Sequence, residues 1–210
     1  EALNIGPGDE VILPTFTIIS CIGQIVRSDA KLVLIDSDPI TWNMDVSQIE
    51  GKITARTKAI MVVHTFGLPV DLDPVLAIAK RRGLKVIEDA AQMHGQTYKG
   101  KPCGSFGDIS IFSFYPNKLI TTGEGGMIVT NDEKLYKESL VYRDQGKADS
   151  AYNLHIRVGY NWRLSEPHAI LGLAQVHRID EFIEARSRIA TVYDEGLNSI
   201  AGVEPLKIPD

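Results

Sequence analysis

The run Ala59-Ile60-Met61-Val62-Val63 carries an apolar residue at every position. A strand with one face in water alternates apolar and polar residues, whereas a strand covered on both faces reads as a continuous apolar run. Strands of that kind belong to parallel sheets whose crossover helices lie on both sides. The rest of the chain keeps the same rhythm. Residues 9–14 read as a short strand closed by a proline, and residues 18–26 as a buried helix after a cap region at Thr15 and Thr17. Residues 31–36 form the next strand, 41–44 a loop, and Asp45 caps a short helix that runs to Ile53. Beyond the central run, 71–82 is a helix stopped by Gly83, 84–89 a strand, and 109–114 and 127–130 two more strands. A helix follows from Asp132 toward Tyr142, and a long helical pattern covers 165–197, with Gly172 and Gly196 as its weak points.

Alternating strands and helices predict an α/β fold, a mostly parallel, doubly wound sheet with right-handed crossovers. In such sheets ligands bind beyond the carboxyl ends of the strands. Five segments lie there: 14–17, 36–38, 64–67, 89–94 and 113–118. In the last of these, Lys118 follows Ser113-Phe114-Tyr115-Pro116-Asn117 and precedes three glycines, Gly123, Gly125 and Gly126, so one amine sits among closely approaching backbone. Asp89 ends an apolar strand, where a carboxylate stays ionised if a cationic group meets it. Taken singly, each has a plainer reading, Lys118 as a surface lysine and Asp89 as a solvated or capping carboxylate. Together they match what pyridoxal phosphate requires, a lysine for the Schiff base and a carboxylate for the pyridine nitrogen. Ser113 is placed to meet the cofactor phosphate and Gln92, one turn after Asp89, the ring oxygen. A metal site built from Glu88, Asp89 and His94 is disfavoured, because Glu88 and Asp89 point to opposite faces and His94 lacks a ligand spacing.

The net charge of -5 and a pI near 5.6 argue against nucleic acid as a partner. Cys21 and Cys103 stand far apart without a CxxC pair, which predicts neither a zinc site nor a disulfide framework and fits a reducing, cytoplasmic setting. No apolar run approaches the length of a membrane span. Residues 1–8 read as the tail of a helix with its glycine stop, so an N-terminal portion is expected upstream.

Several ordered motifs, Glu88-Asp89-Ala90-Ala91-Gln92-Met93-His94-Gly95, Gly104-Ser105-Phe106-Gly107-Asp108, Phe112-Ser113-Phe114-Tyr115-Pro116-Asn117-Lys118 and Thr121-Thr122-Gly123-Glu124-Gly125-Gly126, closely resemble the DegT-type nucleotide-sugar aminotransferases. Pro14-Thr15-Phe16-Thr17, the segment 64–71, Arg143-Asp144-Gln145-Gly146 and Gly159-Tyr160-Asn161-Trp162-Arg163 extend the likeness over nearly the whole chain. The resemblance implies a fold-type I, pyridoxal-phosphate-dependent enzyme that passes an amino group from an amino acid, glutamate above all, to a nucleotide-linked keto-sugar. It implies Lys118 as the Schiff-base lysine and proton shuttle, Asp89 on the pyridine nitrogen, Gln92 on the ring oxygen and Ser113 on the phosphate. It implies that Asn161 reaches the phosphate of a neighbouring subunit, hence a homodimer with shared sites, although the residues alone read Asn161 as a turn position. His64, Tyr115 and Arg163 are candidates for the substrate side, each with an equally good reading as loop or core. The implied boundaries are a cofactor-binding large domain over 1–196 and the start of a small C-terminal domain over 197–210, with a Gly-Thr or Gly-Ser phosphate loop upstream of Glu1. Ile18 departs from the family, which often has an aromatic residue there to stack on the cofactor, leaving Phe16 as a substitute. Two other outcomes stay open, a related sugar dehydratase, which would carry a histidine in place of Lys118, and a catalytically incomplete chain with a structural or regulatory role.

Overall fold

A computed structural model describes residues 1–149 and 151–205. In chain order the elements are β1 (Glu10–Pro14), α1 (Ile19–Arg27), β2 (Lys31–Ile35), the short α2 (Ile49–Lys52), β3 (Thr57–Val63), α3 (Leu72–Arg82) and β4 (Lys85–Asp89). A hairpin of β5 (Thr97–Tyr98) and β6 (Lys101–Pro102) leads to β7 (Ile109–Ser113) and β8 (Gly126–Val129). Then come α4 (Glu133–Arg143), a second hairpin of β9 (Lys147–Asp149) and β10 (Leu154–His155), and the helices α5 (Glu166–Val176) and α6 (Ile179–Leu197).

The main sheet has the order β2-β1-β3-β4-β7-β8 and is parallel except for β8, which runs antiparallel to β7. A parallel neighbour needs a crossover, usually through a helix, and the connection 114–125 contains none. From β1 the chain steps outward to β2 and then returns past β1 to β3, so the winding reverses between β1 and β3.

The continuous run in β3 is explained by two cores. Ile60 and Val62 join Ile12, Ile35, Val86 and the α3 residues Leu72, Val75 and Ile78 on one face. Ala59 and Met61 join Val11, Leu13 and the α1 residues Cys21 and Ile25 on the other. Each aliphatic side chain buried this way contributes about 1.5–3 kcal/mol.

Three expectations need correction. The segment at 18–26 is not a buried helix: α1 buries only Cys21 and Ile25, while Ile18 and Ile19 are 62% and 73% exposed, so one face covers the sheet and the other is open. Its start has no side-chain cap, whereas Asp45 does cap its turn by accepting from the Ser47 N–H at 3.1 Å. The long helical pattern divides at His177 and Arg178 and not at Gly172. A Cβ at Gly172 would stand 2.7 Å from Thr122 Cγ2, so this glycine lets α5 lie against the loop before β8. Of the expected second domain, residues 206–210 lie outside the described residues. No described helix is long and apolar enough to cross a membrane.

Candidate active site

Successive residues of a strand face opposite sides, and at the end of β4 this separates two carboxylates. Glu88 points into the protein and is completely buried. Its oxygens accept from His64 Nε2 at 3.1 Å, from the backbone N–H groups of Gly104, Phe106 and Gly107, and from Ser110 Oγ. The tautomer of His64 follows from its other contact: Nδ1 accepts the Val70 N–H at 3.0 Å, so the proton sits on Nε2 and is donated to Glu88. Burial pushes the Glu88 carboxyl up, but the hydrogen bonds from His64, Gly104, Gly107 and Phe106 outweigh it and hold the group below the usual glutamate range. Ligand-type atoms of His64, Glu88 and Cys103 lie within 4.8 Å of one another. They do not offer a metal open coordination, since the carboxylate and both ring nitrogens are already bonded and burial pushes the Cys103 thiol up to about 11. The expectation that His64 lines the substrate side is therefore corrected: at 2% exposure, with both nitrogens engaged, it helps fix the loop 104–107 through Glu88.

Asp89 is buried on the opposite side, toward α1. Its Oδ1 accepts the Ala91 N–H at 3.0 Å and its Oδ2 accepts from Cys21 Sγ, also at 3.0 Å. Burial, reinforced by the Asp89 carboxylate, pushes the Cys21 thiol up to about 12, so the sulfur keeps its proton and acts as the donor. A carboxylate has about four lone-pair sites, and Asp89 keeps capacity for another donor.

The lysine loop is tied at both ends. The Phe114 N–H donates to the Gly125 carbonyl at 2.9 Å, the Thr122 N–H to the Phe114 carbonyl at 3.0 Å, and the Thr121 N–H to Gln175 Oε1 of α5 at 2.8 Å. Within it the Lys118 N–H donates to the Tyr115 carbonyl at 3.0 Å, closing a turn in which Lys118 is half-buried. Its amine makes no ion pair among the described residues. Lys118 lines a cavity of about 490 Å³ together with Gln92, His94, Phe66 and, from α6, Arg186 and Ser187. α6 closes over this space at Gly95, where a Cβ would stand 2.3 Å from Ile183 Cδ1. His94 is 9% exposed, and neither ring nitrogen has a hydrogen-bond partner.

The structure thus brings Lys118 and Gln92 into one cavity, with Asp89 at the adjoining strand end. It does not bring the remaining candidates there. Ser113, the last residue of β7, has its hydroxyl against the turn, accepting the Tyr115 N–H at 3.3 Å, and Tyr115 is exposed. Asn161 forms a bridge with Asp144 on an exposed strip, and Arg163 pairs with Asp144 Oδ1 at 2.8 Å. Phe16 lies edge-on to Trp42 and Phe66, with centroids 5.9 and 6.0 Å away, and lines a separate cavity of about 440 Å³ with Asp36 and Asp38. Sequence reasoning missed Cys21 and the α6 residues, which meet the site only through long-range packing, and it weighed His94 only as a metal ligand beside Glu88 and Asp89.

A lysine amine free of carboxylate partners, a buried carboxylate with spare acceptor capacity and an imidazole with two unmatched nitrogens fit a polar aromatic cofactor such as pyridoxal phosphate. The fold defines the class, the large domain of a fold-type I aminotransferase, and the solved structures agree. DesV from S. venezuelae, solved with a ketimine intermediate, superposes with a TM-score of 0.93 at 34% identity, over 100% of this chain and 56% of its own. Spr1654 from Streptococcus pneumoniae in its PMP form gives 0.90 at 31% identity, over 99% of this chain and 58% of its own. In sequence, the GDP-perosamine synthase of Escherichia coli O157:H7 is 49% identical over 202 residues, which is 96% of this chain and 56% of that protein. The chain belongs to the DegT/DnrJ/EryC1/StrS aminotransferase family, whose model matches residues 1–210. It spans about half the length of the curated relatives it matches.

Proposed function

We propose that the protein transfers an amino group from an amino acid, glutamate in this reading, to a nucleotide-linked keto-sugar, with pyridoxal 5′-phosphate as cofactor. The observation that carries the reading is the cavity at the carboxyl edge of the sheet, where Lys118 and Gln92 converge beside Asp89 in a member of an aminotransferase family. The likeness to a GDP-perosamine synthase supports a nucleotide sugar as acceptor.

When bound, the cofactor supplies an electron-withdrawing pyridinium that makes an amino acid's α-proton labile. Asp89 keeps the ring nitrogen protonated by facing it with a buried carboxylate. Lys118 is the covalent anchor and, once released, the base that takes the proton from the substrate Cα. Gln92 hydrogen-bonds the ring oxygen and Ser113 the phosphate, while Arg186 and Ser187 of α6 line the far side of the cavity. Tyr115 and Arg163, both exposed, belong to the substrate side in this reading.

Asn161 is assigned to the phosphate of a second copy. Exposed Leu154, Ile156, Val158 and Trp162 flank it, an apolar strip suited to burial in a homodimer. Two buried free thiols agree with a cytoplasmic setting.

The test is chemical. Borohydride reduction of the protein with pyridoxal phosphate should leave a pyridoxyl group on Lys118, located by peptide mass, and glutamate plus a GDP- or UDP-linked keto-sugar should yield 2-oxoglutarate. Lys118→Ala should remove both signals. A pyridoxyl group that persists at another lysine in that variant would sink the reading.

A further inference from the structure

His94 takes part in none of the roles assigned so far, yet it is the most unusual polar group in the cavity. It follows Gln92 by two positions, in the bend after β4, and its ring is held at 5.4 Å from Phe112 and 5.8 Å from Phe114, centroid to centroid. Both aromatic neighbours flank Ser113, so the imidazole is wedged against the end of β7 beside the lysine loop. Nδ1 and Nε2 are both buried and both without partners, in a residue that lines the same space as Lys118 and Gln92. An unmatched buried donor or acceptor costs about 1–3 kcal/mol, and few such groups persist in a native structure without a bound partner to meet them.

Three other features of the molecule carry less. The His64, Glu88 and Cys103 cluster is saturated by its own hydrogen bonds. The aromatic group Phe16, Trp42 and Phe66 has nothing that selects one occupant. Ser139, another buried hydroxyl without a partner, lies on α4, away from any cavity described above.

We propose that His94 contacts the cofactor directly, one ring nitrogen donating to and the other accepting from polar atoms of the phosphorylated pyridine bound in the Lys118 cavity. The proposal rests on reading that cavity as the cofactor site. Its chemistry asks for a neutral ring, since an imidazolium would have two donors and no acceptor. Burial and then the charge of Lys118 hold His94 below the ordinary histidine value, against a weaker opposing effect from the backbone of Ser113, which lies near the ring without closing a hydrogen bond. A neutral imidazole also avoids adding a second cation beside Lys118, and two phenylalanines leave the ring little freedom to turn away.

The experiment titrates pyridoxal 5′-phosphate and 4′-deoxypyridoxine 5′-phosphate, which has no aldehyde and cannot bond to Lys118, into the wild-type protein, His94→Phe and His94→Gln. His94→Phe suits a niche already lined by Phe112 and Phe114, so its thermal midpoint should stay near wild type. Both probes should bind to it about tenfold or more weakly, and His94→Gln, which restores a donor and an acceptor, should recover much of that loss. The imidazole ¹⁵N resonances of His94 should also move when the deoxy probe binds. Wild-type affinity of His94→Phe for the deoxy probe would overturn the contact, including the case where pyridoxal phosphate alone is weakened, which would place His94 behind Lys118. Equal losses in both variants together with a lowered midpoint would make it a packing residue. If the wild-type protein binds neither probe, the reading of the cavity fails and this proposal with it, an outcome distinct from all the others.

Discussion

Glu88 and Asp89 are neighbours in one strand and both are buried, yet their surroundings differ in kind. Glu88 meets His64, three backbone N–H groups and Ser110, which use up its lone pairs inside the protein. Asp89 meets one backbone N–H and one thiol, the weaker sort of donor, at a strand end that adjoins the cavity lined by Gln92, His94 and Lys118. A saturated buried carboxylate is an anchor for the chain around it. An unsaturated one, at the carboxyl edge of a doubly wound sheet, has room for a ligand. The comparison teaches that burial alone does not mark a site, and that counting the donors around each acceptor does.

The largest effect should fall on catalysis and spare the fold. Asp89→Asn keeps an oxygen for the Ala91 N–H but removes the charge that, in the proposed function, holds a pyridine nitrogen protonated. Transamination, followed as 2-oxoglutarate release, should drop at least about a hundredfold, the scale of losing one charged or hydrogen-bonding partner in a catalytic site. The thermal midpoint should move by no more than about a few degrees. A collapse of stability in this variant would erase the distinction between the two carboxylates.

Glu88→Gln should do the reverse. It presents an amide to donors that require an anion, and breaking such a buried charged network costs about 3–5 kcal/mol, measured by denaturant unfolding. The sign of its pH dependence follows from the direction of the shift. The Glu88 carboxyl is held below its ordinary value of 4.5, so its contribution is present above that pH and fades as the pH falls through the lower folded-state value. The gap between wild type and Glu88→Gln should therefore narrow on acidification. A gap that widened would mean the carboxylate is not the stabilised form.

The sheet was legible because its cause is local. Five apolar residues in succession at 59–63 require cover on both faces, and β3 indeed feeds alternate side chains to two cores. The ends of β4 and β7 followed from the same pattern, and with them Asp89 and the lysine loop. What the pattern could not reach was contact between distant segments. Nothing near Cys21 announces that it meets a carboxylate sixty-eight positions later. Nothing in 179–197 says that Ile183, Arg186 and Ser187 roof the cavity. His64 misled for a related reason: its place at the end of a strand suggested a ligand, while its partners, Glu88 and the Val70 N–H, turned it inward.

The smallest effect should come from Cys21. Its thiol donates to Asp89 Oδ2 and is pushed up to about 12, so it should resist alkylating and disulfide reagents at pH 8 in the folded protein and react once denaturant exposes it. Cys21→Ser preserves a donor at the same place and should change stability by less than about 1 kcal/mol. Cys21→Ala leaves Oδ2 without that donor, and because a thiol is a weak one, the loss should again be near 1 kcal/mol, read from the denaturation midpoint. Losses approaching those of Glu88→Gln would show that Asp89 depends on its protein partners as heavily as Glu88 does, and the contrast between a closed and an open carboxylate would fail. A small loss, joined to weaker cofactor binding in Cys21→Ala than in Cys21→Ser, would sharpen it: the thiol would then aim the carboxylate at its ligand while adding little to the fold.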